Sequence, residues 1–167
     1  PLVRSNNPMV FDGSNDYVAT GTTFNHTNHT ISVWLNANVT TGNDRIIFDA
    51  RDSGSDGILL YVRGDNNKIG YQLNSTALTT SLAYDAQDIH VVASYDGSTQ
   101  KTYINGSLVA SQSTSLTTST TTNAVIGARN FSSQASFFGG RINEVSVWDS
   151  ALTANEVTAL YNSGLPL

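Results

Sequence analysis

The chain has 167 residues, which is the size of one ordinary domain, and its lack of cysteine excludes disulfides, thiolate metal sites and cysteine nucleophiles. Charged residues make up 13%, about half of the usual share, while Ser, Thr and Asn together supply about a third of the chain. The net charge of −5 disfavours nucleic acid as a partner. No apolar run approaches the ~20 residues of a membrane span, so we expect no membrane insertion.

Short alternating segments between turn signals predict an all-β fold of antiparallel sheets. Eleven of the thirteen acidic residues are Asp, which favours strands joined by Asp-rich turns. The pair Asn105-Gly106 predicts a tight hairpin, and residues 111–122, which are almost entirely Ser and Thr, predict a solvated strand or a long loop. The predicted strands are 8–12, 16–20, 30–38, 45–51, 57–63, 67–73, 88–95, 100–104, 107–112, 123–128 and 137–148.

Alternation within these strands predicts which side chains face the core. In strand 88–95, Val91 and its apolar partners alternate with a more polar set that includes His90, so one face should meet solvent or a ligand. In strand 67–73, Ile69 and Tyr71 mark the apolar face. Trp34 lies in a strongly patterned strand, as does Trp148, and we expect both in the core, with Trp34, Ile69, Tyr71 and Val91 filling the space between the sheets.

One helix is predicted at the C-terminus. Thr153 and Glu156 have the spacing of a capping box, Leu152 can pack against Val157 as a hydrophobic staple, and Gly164 is placed to end the helix. The apolar stripe of this helix should pack on the sandwich, and we expect no chemistry from it.

The ordered motifs resemble laminin-G-like, concanavalin-A-like lectin/glucanase domains. The resemblance implies a two-sheet antiparallel jelly-roll sandwich whose first strand pairs near the last, with one short C-terminal helix. It covers nearly the whole chain, and we expect residues 1–167 to be a single domain, excised or processed from a larger protein because Pro1 is not an initiator Met. The segments that carry the resemblance are FDGSNDYV from Phe11, TISVWL from Thr30, SYDG from Ser94, YING from Tyr103, and GGRINEVSVW from Gly139 followed by Ala151-Leu152-Thr153.

Catalysis is not expected from this sequence. A retaining glycosidase needs two carboxyl groups about 5–5.5 Å apart, and the laminarinase-like relatives carry two Glu on one strand face. Here Glu144 has no second Glu nearby, and Glu156 lies on the predicted helix. No Gly-x-Ser-x-Gly elbow and no phosphate loop occurs.

A structural Ca²⁺ ion is the one cofactor that the sequence suggests. The resemblance brings the two end segments of the chain together, and carboxylate and carbonyl oxygens suit calcium. The alternative is that Asp12 and Asn143 only cap turns. The candidate metal ligands are Asp12, Asp16, Asn143 and Glu144.

Ligand contact is expected on loops and one exposed sheet face rather than in a buried pocket. Phe131, in the polar loop that starts at Arg129, is the best candidate for an exposed ring that stacks on a sugar. Tyr61 is a further candidate for the same sheet face as Arg63. The loop from Asp52 to Gly57 is first of all predicted to be a hairpin turn, and it is a second calcium candidate. The full set of candidate ligand-binding residues is Asp52, Asp56, Arg63, Gln72, His90, Arg129 and Phe131.

Two functions remain open at this point. The first is a non-enzymatic recognition module that binds a glycan or a surface ligand, for adhesion or attachment by an extracellular, cell-surface or virion protein. The alternative is a structural subunit or decoration domain of a virion, tail fibre or extracellular assembly without a small ligand. Self-assembly that buries more than ~1,000 Å² would favour the alternative.

Overall fold

Two antiparallel six-stranded sheets form the fold. The computed structural model describes residues 8–38, 42–54, 56–84, 86–117 and 121–164. The first sheet has the order β1-β12-β3-β8-β9-β10, and the second has the order β2-β11-β4-β5-β6-β7. The strands are β1 Met9–Asp12, β2 Val18–Thr23, β3 His29–Ala37, β4 Arg45–Ala50, β5 Ile58–Val62, β6 Lys68–Leu73, β7 Thr76–Ala83, β8 Ile89–Tyr95, β9 Thr99–Ile104, β10 Ser107–Ser113, β11 Asn123–Ile126 and β12 Gly139–Trp148.

The predicted jelly-roll sandwich is confirmed, including the return of the first strand to the last. Strand β1 pairs with β12 in the register Met9↔Ile142 to Asp12↔Gly139, and β12 pairs in turn with β3. All eleven predicted strands are present with boundaries shifted by a few residues. Within the low-complexity segment, residues 111–113 end β10 and 118–120 lie outside the described residues.

The core lies between the two sheets. Every second residue of the central strands contributes an apolar side chain to it. Ile69, Tyr71 and Val91 are fully buried there, as their alternation predicted. Strands buried on both faces, such as β5 with five buried residues in a row, sit at the centre of the second sheet.

Strand β7 has no counterpart in the predicted set. It lies at the edge of the second sheet and pairs only with β6 among the described strands. Its sequence is rich in Thr, and only Leu78 and Thr80 are buried. An edge strand with one buried apolar side chain gives almost no periodic signal.

A helix and the side chains around it form an additional layer on the outer face of the first sheet. Helix α1, Ala154–Tyr161, packs there through Val157, which is fully buried against Val92 and Tyr103. The predicted capping box is present, because Thr153 Oγ1 accepts from Glu156 N and Glu156 Oε2 accepts from Thr153 N at 2.7 Å. The helix ends at Tyr161 through left-handed Asn162 rather than at Gly164.

This layer corrects two expectations. Trp34 is buried but lies on the outer face, where its ring stacks on His90 at 4.6 Å and on Tyr161 at 5.7 Å. His90 is 1% exposed, and its Nε2 lies 2.7 Å from Ser32 Oγ. The placement of His90 on an exposed face is therefore wrong, because the helix covers that face. Trp148 is half-buried.

No helix in the described part of the chain has both the length and the apolar character that crossing a bilayer requires.

Candidate functional site

A cavity of about 510 Å³ opens at one end of the sandwich, and we call it the rim cavity. Its wall comes from Asp12 and Gly13 at the end of β1, Asn38 after β3, residues 43–45 at the start of β4, residues 134–137 before β12, and Gly139. The volume falls within the roughly 300–1,000 Å³ that is typical of small-ligand sites. The cavity thus lies where ends of both sheets meet.

Amide side chains dominate the polar part of this wall. Among the described residues, the side chains of Asn38, Asn43 and Gln134 make no hydrogen bond, although all three line the cavity. Each amide carries two N–H donors and a carbonyl acceptor. The ring of Phe137, which is half-buried, lies in the same wall. The cavity therefore offers solvent-exposed amide donors and acceptors, which no described residue engages, beside a half-buried aromatic residue.

The turn after β1 holds its own wall of the cavity in place. Asp12 Oδ1 accepts from Ser14 N at 2.7 Å, and Asp16 Oδ2 accepts from Asp12 N at 2.8 Å. Gly13 has a φ of +82°, a conformation that a side chain disfavours. Asp12 and Asp16 therefore stabilise the turn, and for Asp12 this is the turn-capping role that was the alternative to a metal site.

The loop between β11 and β12 forms the opposite wall and is anchored to β4. Arg129 N donates to Ala135 O at 2.7 Å, which closes the loop on itself, and Ile46 N donates to Ser136 O at 3.1 Å. Asn130 N donates to Asp49 Oδ2 at 3.1 Å. One side of this loop faces the rim cavity, and residues 129–131 lie over the outer face of the second sheet.

Five of the seven predicted ligand residues lie on three segments that hydrogen bonds join: the loop after β4, strand β6 and residues 129–131. Gln72 donates to Gly54 O at 3.4 Å, and Asn130 donates to Thr122 Oγ1, which in turn donates to Asp52. We call this group the Phe131 cluster; it comprises Asp52, Asp56, Gln72, Arg129 and Phe131.

The Phe131 ring is less free than predicted. It is half-buried, and the guanidinium groups of Arg51 and Arg129 lie 5.0 and 5.1 Å from its centroid. Arg51 forms a two-pronged ion pair with buried Asp49, with N–O distances of 2.8 and 2.9 Å. Cation–π contacts therefore already engage this ring, which was expected to stack on a sugar.

The two carboxylates of the cluster are also engaged. Asp52 accepts from Thr121 and Thr122, and the hydrogen bond from the Thr122 hydroxyl is the main cause that lowers the pKa of Asp52 to about 2. Asp56 accepts from Ser53 N and Ser53 Oγ, both at 2.9 Å. This loop is a hydrogen-bonded turn.

Arg63 and Tyr61 are not members of the Phe131 cluster; both belong to the strand β5 region of the second sheet. Arg63 pairs with Asp65, with N–O distances of 3.0 and 2.8 Å, and that hydrogen-bonded contact raises the pKa of Arg63. Tyr61 is 4% exposed and packs with Ile46 and Leu59 on the outer face of the second sheet.

The four predicted calcium ligands do not converge. Asp12 pairs with Gly139, and Asn143 lies four residues further along β12, about 13 Å away at the usual rise of a strand. Asn143 instead pairs with Trp34, and Glu144 is exposed at the β-bulge that follows. No cluster of three or more His, Asp or Glu side chains suited to a metal occurs within the described residues. The residues present therefore do not fit a calcium ion as a set.

The sequence interpretation missed Asn38, Asn43, Asp44, Gln134 and Phe137. Only Gln134 carried a signal, because it belongs to the polar loop that had been singled out. The other four residues carried no signal in the sequence, because they become neighbours only when the fold brings their loops together.

Comparison with protein families identifies the fold family. The family model described as the concanavalin A-like lectin/glucanases superfamily matches residues 12–158. The chain belongs to this superfamily. No curated protein sequence matches the chain.

Solved structures similar to this concanavalin A-like chain share its fold at low identity. A heptameric SAP-like pentraxin from Limulus polyphemus matches with a TM-score of 0.72 and 20% identity over 91% of this chain and 80% of the pentraxin chain. The Ruminococcus gnavus IT-sialidase CBM40 bound to α2,3-sialyllactose matches with a TM-score of 0.67 and 18% identity over 81% and 83%. The binding domain of botulinum neurotoxin DC in complex with SialylT matches with a TM-score of 0.60 and 17% identity, over 81% of this chain but 35% of that one.

Proposed function

We propose that this concanavalin A-like domain is a non-enzymatic recognition module that binds a glycan in the rim cavity. The observation that carries the proposal is the set of three amides, Asn38, Asn43 and Gln134, that line the cavity without a hydrogen bond to any described residue. An amide donates and accepts at once, and this matches two hydroxyls on neighbouring sugar carbons. The Phe137 ring supplies an apolar surface for the C–H face of a sugar.

Two structural neighbours support glycan as the ligand class. The bacterial sialidase module is described with α2,3-sialyllactose, and the neurotoxin domain with SialylT. Their identity to this chain is below 20%, so they support the class and not the contacts.

The proposal includes the absence of glycoside hydrolysis. The carboxylate of Glu156 caps the helix by accepting hydrogen bonds from Thr153 N and Thr153 Oγ1. These bonds lower the pKa of Glu156, and the backbone bond has the larger effect. Glu144 is the only other Glu of the chain. We expect no release of reducing ends from β-glucans or marine polysaccharides; release that Glu144→Gln abolishes would show an enzyme.

We further propose that the module serves adhesion or attachment by an extracellular, cell-surface or virion protein. The structural subunit remains the competing role. Light scattering separates the two, since a subunit should assemble through more than ~1,000 Å² of buried surface, whereas a recognition module should bind a glycan as a monomer.

The test is a glycan array followed by calorimetric titration of the best binder. Each of Asn43→Ala and Gln134→Ala should weaken the affinity about three- to tenfold, the effect of one lost hydrogen bond. Asn155→Ala is the matched control, because Asn155 is an exposed amide on α1. This variant should bind the glycan with the affinity of the wild type.

The same titration decides between the rim cavity and the Phe131 cluster. If Phe131→Ala weakens binding while both cavity variants leave it unchanged, the site lies at the cluster. If no glycan binds, the recognition function itself fails.

A further inference from the structure

We infer that the rim cavity selects uncharged glycans and rejects the acidic ones. This inference rests on the proposed function and names the ligand class of the same site. It departs from the two neighbours described with sialylated ligands, and its basis is the charge of this chain's own cavity wall.

Carboxylates outnumber cations at the rim cavity. Asp12 and Asp44 line it, and Asp16 belongs to the same turn as Asp12, with its carboxylate 2.8 Å from Asp12 N. The cation in the wall is Arg45, which is 4% exposed and donates from Nη2 to Asn67 Oδ1 at 2.6 Å. Two carboxylates therefore line the cavity and a third lies on the same turn, whereas the lining that the structure describes holds one cation, which is buried and already bonded.

The neighbouring arginines do not reverse this sign. Arg63 contacts the carboxylate of Asp65 at 2.8 Å and forms a locally neutral pair. Arg129 belongs to the loop that forms one wall, but its guanidinium lies over the Phe131 ring and it does not line the cavity. A carboxylate or sulfate on a bound sugar would therefore meet net negative charge, which repels it.

The same carboxylates favour hydroxyl groups. Asp12 Oδ1 accepts from Ser14 N and Asp44 Oδ1 accepts from Gly64 N at 3.0 Å, whereas Oδ2 of each makes no hydrogen bond within the described residues. A free carboxylate oxygen accepts a short, charge-assisted hydrogen bond from a hydroxyl. A sugar hydroxyl can donate that bond, and a sugar carboxylate cannot.

The test compares neutral glycans with their sialylated or sulfated counterparts on one array, in buffer that contains a chelator. The wild type should bind each neutral glycan at least about tenfold more tightly than its acidic counterpart. Asp44→Asn keeps an acceptor for Gly64 N and removes one charge, so it should reduce this preference several-fold; Asp12→Asn should act in the same way. Raising the salt from about 0.05 to 0.5 M should also narrow the preference, because salt screens exposed charges.

The outcomes separate the two proposals. Acidic glycans that bind as tightly as neutral ones, or a preference that both Asp→Asn variants leave unchanged, would overturn the charge selection while the recognition function stands. Acidic glycans whose binding depends on Arg129 would place their site at the Phe131 cluster and likewise overturn it. Absence of any glycan binding would overturn both proposals.

Discussion

His29 shows how one buried side chain couples this fold to pH. It lies between the two sheets with 0% exposure, and its Nε2 is 2.6 Å from Tyr71 Oη. The rings of Phe24 and Tyr95 lie 5.4 and 5.9 Å from it. Burial is the main cause that lowers the pKa of His29 to about 4; a hydrogen bond with the His26 backbone opposes this lowering, and charge repulsion from His26 adds to it by a smaller amount.

We expect acid to destabilise the fold through His29. The unfolded chain takes up a proton near the ordinary pKa of about 6.5, whereas the folded chain takes it up only near 4. The contribution of neutral His29 to the stability of the fold is therefore complete above pH 6.5 and is lost as the pH falls to 4. Urea unfolding should show that the free energy of unfolding falls by about 3 kcal/mol more in the wild type than in His29→Gln between pH 7 and pH 4.

Equal pH dependence of the wild type and His29→Gln would contradict this assignment. The comparison removes the contribution of the carboxylates, which both proteins share.

Residue types were predicted better than their surroundings. Phe131 and Arg129 were singled out correctly as members of one polar loop, but the loop folds back on β4 and places two guanidinium groups against the ring. His90 has a polar-face position in its strand, yet α1, more than 60 residues later, buries it. Alternation gives the side of a strand, whereas the element that covers that side comes from elsewhere in the chain.

At the scale of elements, the junction of β1, β12 and β3 depends on close backbone approach. Gly140 has a φ of +133°, and a Cβ there would overlap the carbonyl of Asn36 on β3. Gly21 also has a positive φ, +70°, but a Cβ there would meet nothing within 4 Å. Substitution at Gly21 therefore tests backbone strain alone, whereas substitution at Gly140 tests backbone strain together with steric overlap.

We expect Gly140→Ala to destabilise the fold more than Gly21→Ala does. Gly21→Ala carries the backbone cost alone, roughly 1–3 kcal/mol, and Gly140→Ala adds about 1–3 kcal/mol for forcing atoms into filled space. Urea unfolding of both variants measures the difference. Equal losses of stability would show that β12 can move away from β3 and that the junction is not tightly packed.

Strand prediction succeeded where burial was strong on at least one face. Strands β5 and β8 are buried along their whole length and were predicted within one residue or so of their ends. Strand β7 was missed because its Thr-rich sequence has a single buried apolar residue, Leu78. Helix α1 was predicted from its capping box, because that signal depends only on residues three apart.

At the scale of the whole molecule, the rim cavity joins residues that are far apart in the chain. Asp12 ends strand β1, Asn43 and Gln134 belong to two different loops, and the fold brings all three to one end of the sandwich. In the sequence, the segment around each of these residues looks like an ordinary polar loop. The register of β1 against β12, which the sequence does not specify, also decided that Asp12 lies away from Asn143.

We expect calcium to leave the stability of the molecule unchanged. An ion bound only by the folded state would stabilise it by ~2.7 kcal/mol at a hundred times its dissociation constant, but the four predicted ligands do not meet. The melting temperature of metal-stripped protein should stay constant across millimolar Ca²⁺. A rise that a chelator reverses would contradict this expectation. Its loss in Asp12→Ala would place the ion at the start of β12, and its loss in Glu144→Gln would place it at the bulge in the middle of β12.

The most direct test of glycan binding in the rim cavity is an NMR titration of the ¹⁵N-labelled protein with the best neutral oligosaccharide from the array. If the rim cavity binds the glycan, the amide signals of Gly13, Asn43, Gln134 and Phe137 shift in a saturable manner, while those of Asn155 and its neighbours on α1 stay unchanged. Saturable shifts confined to residues 51–56 and 129–131, with the cavity signals unmoved, would contradict it.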